Sequence, residues 1–187
     1  YNQVSNLIGY ETDSEAGERE QILLKNAIEF ISNDFPEDLD VDANNDGFVD
    51  NVTFLVKGSP GAWADLLWPH RWALYLEEAY LNGARVWDYN LNLEQGGYFT
   101  VGTLCHEFFH SLGAPDLYHY WDDTAPIAVG GWDLMDASSD IPQSMSAYMK
   151  YKYTDWITDL PVLEYGGTYE ILPLTSDFGN IFRINSP

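Results

Sequence analysis

The sequence predicts an α+β domain organised around a mixed β-sheet. Three observations carry that prediction: apolar residues at helical spacing between Ser14 and Asn33, a short β-branched run at Val52–Val56, and a second apolar helical pattern from Thr100 to Leu112 closed by Gly113. With 187 residues, 45% of them hydrophobic, and 9 Phe, 13 Tyr and 7 Trp, the chain has the material for one sizeable core. One domain is expected over residues 1–165, with 166–187 beginning a C-terminal β segment or module.

Tyr1 opens the chain with neither an initiator Met nor a signal-like region, so the sequence is expected to be a fragment of a longer precursor. Ile22, Leu23, Ala27, Ile28, Phe30 and Ile31 then recur with Glu and Lys between them, as in an amphipathic helix, and Asn33, Asp34 and Pro36 end the pattern. The acidic stretch that follows has the form DxNxDGxxD. Asp42, Asn44, Asp46 and Asp50 offer oxygen side chains at positions 1, 3, 5 and 9 of a calcium loop; Gly47 supplies the sharp turn and Phe48 a backbone carbonyl. Thr53 stands where a full EF-hand has a bidentate glutamate, so Asp40, another strand or water completes the shell, and the ion expected is a structural Ca2+. The plainer alternative is a solvated acidic turn. Val52 to Val56 comes next and reads as a buried strand.

From Gly58 to Gly97 the pattern is mixed: a turn at Ser59-Pro60-Gly61, the aromatic block Leu67-Trp68-Pro69-His70-Arg71-Trp72, and strand pieces near Ala84 to Tyr89. Thr100 suits the N-cap of the next helix, and Gly113 sits where a helix end wants a left-handed residue. Pro142 to Ile157 reads as a further helix, with Pro142 at its first position and Met145, Tyr148, Met149 and Trp156 along one side. The closing segments TYEILPL and NIFRIN alternate like strands.

Thirty acidic against eight basic side chains give a net charge of −22, which excludes an electropositive surface for nucleic acid or anionic lipid. No apolar run approaches the roughly 18 residues of a transmembrane helix. The lone Cys105 forbids an internal disulfide, and inside an apolar run it reads as a small buried core residue rather than a nucleophile.

The chemistry is carried by His106-Glu107-Phe108-Phe109-His110, an HExxH sequence. On a helix the i, i+4 spacing puts both imidazoles on one face, within reach of a single zinc ion about 2 Å from each. Glu107 falls on the neighbouring face, where a carboxylate can take a proton from water and return it to a leaving amine. Catalytic zinc needs a third protein ligand. No glutamate occurs between Glu107 and Glu164, but Gly113 can end the helix and swing Asp116 back toward the histidines; His119 is the rival ligand.

HEFFHSLGAPDLY followed by GGWDLMDAS resembles the immune inhibitor A family of secreted bacterial metallopeptidases, within the metzincin-like zincins. The resemblance extends in outline from the LWPHRW block to the SMSAYMKYKYTDWI segment. It implies a zincin-like catalytic domain with a methionine turn, His106, His110 and Asp116 as zinc ligands, Glu107 as catalytic base, and Met135 as the apolar floor of the ligand cluster. Asp116 departs from the three-histidine metzincin pattern, a departure the family shares. Tyr148 is a candidate transition-state donor, and His70 a weaker one.

The expected function is therefore secreted zinc metalloendopeptidase acting on protein or peptide substrates, bacterial and extracellular or on the cell surface. A monomer with flanking domains in the full-length protein is expected. Two other readings stand beside it: a calcium-stabilised binding or adhesion module on the same fold without turnover, and a deformylase-type zinc hydrolase, against which the GxxD and GxWxxM segments argue.

Overall fold

A computed structural model describes residues 13–57, 68–94, 97, 99–120, 124–173, 176 and 181–185. The Ser59-Pro60-Gly61 turn, Leu67 of the aromatic block and the polar start of the chain lie outside the described residues. By internal contacts the chain forms two compact units, Tyr1–Ser111 with Ser138–Pro142, and Leu112–Ala137 with Gln143–Pro187.

The first unit is α+β with a mixed sheet. Helix α1 (Asp13–Ser32) buries Glu20, Gln21, Leu24 and Ile28, positions three, four and seven apart that share one face. Ile22, Phe30 and Ile31, expected on that face, are exposed: Ile22 and Phe30, the latter at 83%, project from the other side of the helix, and Ile31 stands on the buried face but in its last turn. Strands β1 (Val52–Val56), β2 (His70–Ala73) and β5 (Asp88–Leu93) form a sheet in the order β1-β5-β2. β1 runs parallel to β5, with Val52 opposite Tyr89 and Val56 opposite Leu93, while β2 runs antiparallel to it, with His70 opposite Leu91.

β1 is thus an edge strand. Its Thr53 and Leu55 are exposed, which corrects the expectation of a buried strand; the buried central place belongs to β5. Tyr89, Leu91 and Leu93 of β5 pack with Leu24 and Ile28 of α1 and with Leu74, Leu81 and Val86 in one apolar cluster.

The stretch expected as strand near Ala84 to Tyr89 is broken at Val86 and Trp87. β3 (Tyr80–Leu81) and β4 (Ala84–Arg85) make a small hairpin whose two turn residues, Asn82 (φ 47°) and Gly83 (φ 87°), both have positive φ. An Asn-Gly pair accepts that conformation at little cost and matches the twist of the flanking strands. Arg85 also joins the acidic loop to this hairpin: Phe48 bridges it, its guanidinium lies 5.1 Å from the Trp87 ring, and Trp87 meets Phe48 edge-on.

Helix α2 (Val101–Ser111) packs on β2 and β5. At Gly102 it passes so close to residues 138–142 that a Cβ would overlap the Ser139 carbonyl oxygen, so only glycine fits.

In the second unit, a 3-10 turn at Gly130–Trp132 precedes Met135, and helix α3 covers only Ala147–Tyr153. The helix expected from Pro142 starts five residues late because the chain up to the extended cap Ser146 is held elsewhere: the Ser146 N–H donates to Asp133 Oδ2 at 2.7 Å. Thr154, also extended, ends the helix, its hydroxyl donating to the Lys150 carbonyl at 2.6 Å. TYEILPL and NIFRIN form no strand among the described residues. A single parallel bridge joins Arg183 to Val162, flanked by N–H bonds from Leu163 to Arg183 and from Arg183 to Pro161, each 2.9 Å. Alternation alone did not supply these segments with a partner strand to pair along.

Candidate metal centre

Local chemistry fixes both ends of α2. The Thr100 hydroxyl accepts the Thr103 N–H at 3.0 Å, an N-cap that satisfies one of the helix's free donors. At the other end Gly113 has φ 93°, the left-handed conformation that turns the chain out of the helix.

His106 and His110 share one face of α2, their rings 4.9 Å apart and nearly perpendicular. His106 and Glu107 are buried, at 8% and 7% exposure; His110 is half-buried. Within the continuous run from His106 to Asp116, one ligand atom each from His106, His110 and Asp116 lies within 4.8 Å of the others. Two imidazoles and a carboxylate are the donor set that zinc accepts, and donors about 2 Å from a common tetrahedral ion stand roughly 3.3 Å apart, so the three residues fit that ion after small side-chain adjustments. His119, the rival, lies outside this group and hydrogen-bonds the Pro126 carbonyl at 3.1 Å.

Met135 is fully buried, and its carbonyl accepts the N–H of Leu117, the residue after Asp116, at 2.9 Å. The turn that carries it is braced by Asp133, 1% exposed, whose two oxygens accept the N–H groups of Met135 and Ser146 at 2.9 and 2.7 Å. Tyr120 donates its hydroxyl to Asp116 Oδ2. Asp133 and Tyr120 escaped the sequence reading; the only signal was an Asp inside the GxWxxM segment and a Tyr four residues after the acidic ligand.

Tyr148 is 58% exposed, with Lys152 Nζ 5.5 Å from its ring centre. His70 serves the core instead: Nε2 lies 3.0 Å from Glu20 Oε1 and Nδ1 2.7 Å from the Trp68 carbonyl. Burial acts to lower its pKa, but the hydrogen bond and charge of Glu20 more than offset this, and the net shift is upward. Tyr89 shares Glu20 through a 2.6 Å bond, and burial first, then the Glu20 charge, pushes its phenol well above the ordinary range. Cys105 is half-buried, short of the core position expected for it.

In the acidic loop, Asp42 accepts the Asp46 and Gly47 N–H groups on its two oxygens, each at 2.9 Å, and Asp46 Oδ1 accepts the Phe48 N–H at 2.9 Å. Asp50 Oδ2 accepts from Ala43 at 3.2 Å and Asp40 Oδ1 from Asp42 at 3.1 Å. Asn45 (φ 60°) and Gly47 (φ 87°) make the tight curl. Asn44 Oδ1 also caps the Asp46 N–H at 3.0 Å. The loop thus has the curl of a cation loop, although its carboxylates do not converge as closely as the His106 group does among the described residues.

No family model matches the chain, and comparison with curated proteins finds no match.

Proposed function

We propose that this chain is the catalytic domain of a secreted bacterial zinc metalloendopeptidase of zincin type, similar to the immune inhibitor A family. The observation that carries the reading is the convergence of His106, His110 and Asp116, presented by an HExxH helix and the glycine turn after it.

His106 and His110 would hold zinc through neutral imidazole nitrogens and Asp116 through a carboxylate oxygen. When bound, the ion supplies Lewis acidity toward a peptide carbonyl and lowers the pKa of water. Glu107, at 7% exposure on the same helix, takes a proton from the attacking water and delivers it to the departing amine, a role that buried general bases perform for about 10^2–10^4 in rate. Tyr120 orients the Asp116 carboxylate by donating its hydroxyl to Oδ2. The buried Met135 backs the loop carrying Asp116 through the Leu117 N–H. Tyr148 is proposed as an oxyanion donor on its place in the helix after the methionine turn. A structural calcium held by Asp42, Asn44, Asp46, Asp50 and the Phe48 carbonyl, with Asp40 behind them, would pin the loop ahead of β1.

Metal analysis beside cleavage of an unstructured protein, for the parent and Glu107→Ala, tests this. One zinc per chain in both proteins, with proteolysis lost only in the variant, is the expected result. Zinc without cleavage by either protein would favour a non-catalytic binding module, and absence of zinc would sink the ligand assignment.

A further inference from the structure

The side of the sheet that α2 covers is built of polar groups, and one of them grips the helix. We infer that Asn51 is a positioning residue for the HExxH helix, acting through Ser111.

Asn51 lies just before β1, and besides accepting the Thr53 hydroxyl on Oδ1 at 3.3 Å its amide makes three long-range side-chain contacts that fix its orientation. Nδ2 donates to Asp88 Oδ2 at 2.8 Å and to Ser111 Oγ at 3.0 Å; Oδ1 accepts from Asn90 Nδ2 at 3.2 Å. A flipped amide would set its Oδ1 acceptor against the Asp88 carboxylate, which only accepts, so only this orientation satisfies all three. Each partner is itself anchored. Asn90 is fully buried on the central strand, and Asp88 pairs with Arg71 of β2.

Ser111 is the last residue of α2, directly after His110 and four after Glu107, so it stands on the Glu107 face of the helix. A hydrogen bond there resists rotation of α2 about its own axis, and rotation is the motion that would carry Glu107 and His110 away from their working directions. The rigid sheet, through one amide, thus sets the angle at which base and ligand are presented. This rests on the zinc peptidase reading above.

Kinetics at saturating zinc, with the visible spectrum of the cobalt-substituted protein, test the inference on the whole chain. Ser111→Ala removes the hook and leaves the sheet untouched; Asn51→Leu removes it from the other side. Both are expected to lower kcat by about 10–100-fold with KM little changed, the usual penalty for losing a group behind the metal ligands, and to shift the cobalt bands. Ser111→Thr, which keeps the hydroxyl, should restore most of the rate and the parental spectrum. A parent that binds cobalt and a Ser111→Ala variant with parental kcat and bands would overturn this inference and spare the metal reading. A parent that takes up no cobalt would overturn both. A variant that merely melts earlier, with its cobalt bands and kcat per bound metal unmoved, would reduce Asn51 to a stabilising residue and overturn the positioning role.

Discussion

The two faces of strand β5 solve opposite problems. Tyr89, Leu91 and Leu93 point into the apolar cluster shared with α1, whereas Asp88, Asn90 and Asn92 alternate with them on the other face, also buried except for a half-buried Asp88. One face stabilises by removing carbon from water; the other places polar atoms where each unmet hydrogen bond costs free energy. Asn90 meets that demand in part, its Nδ2 donating to Asn51 while its Oδ1 finds no partner among the described residues, and both side-chain polar atoms of Asn92 find none. A small domain that keeps such a face beneath a helix bearing candidate ligands is using it for placement rather than for stability.

The largest effect should come from breaking the apolar face. Leu91→Ala, at a fully buried site, is expected to lower unfolding free energy by about 2–5 kcal/mol in a urea titration. Tyr89→Phe strips the hydroxyl from buried Glu20 at the rim of that face and should cost about 1–3 kcal/mol in the same titration. Asn92→Leu should reverse the sign. Replacing an unpartnered buried amide by a side chain of similar volume is expected to raise stability by roughly 1–3 kcal/mol, and a loss instead would mean that Asn92 has a polar partner in solution. The smallest effect is a pH dependence centred on His70, which faces Glu20, Tyr89 and, at longer range, Glu107. Because its folded pKa is raised, its contribution is complete below the unfolded value of about 6.5 and is lost as pH climbs through the folded one. The stability gap between the parent and His70→Gln should therefore be widest below the unfolded value of about 6.5 and narrow as pH rises above it.

What the sequence could reveal follows the same division. α2 was legible because its signals are local: a threonine cap, an apolar interior, histidines four apart and a glycine at the exit. The grouping of His106, His110 and Asp116 within one eleven-residue run was legible for the same reason. β5 was not, since Asn90 and Asn92 interrupt the apolar pattern that marks a buried strand, and only the tertiary contact of Asn90 with Asn51 and the packing of α2 on β5 show where they lie. α3 was read too long because the extended Ser146 N–H is taken by Asp133, thirteen residues earlier, a competitor that helical periodicity cannot see. Tyr120 and Asp133 were missed because what marks them is which groups they hold, not which residues they are.

The close approach at Gly102 bears on how the protein is made. Because the first unit includes Ser138–Pro142, it is discontinuous in sequence, and a nascent chain ending at Ser111 would still lack the strand of backbone that sits against Gly102. That unit cannot finish assembling on the ribosome until residue 142 has emerged, by which time all of 112–137 has been synthesised as well.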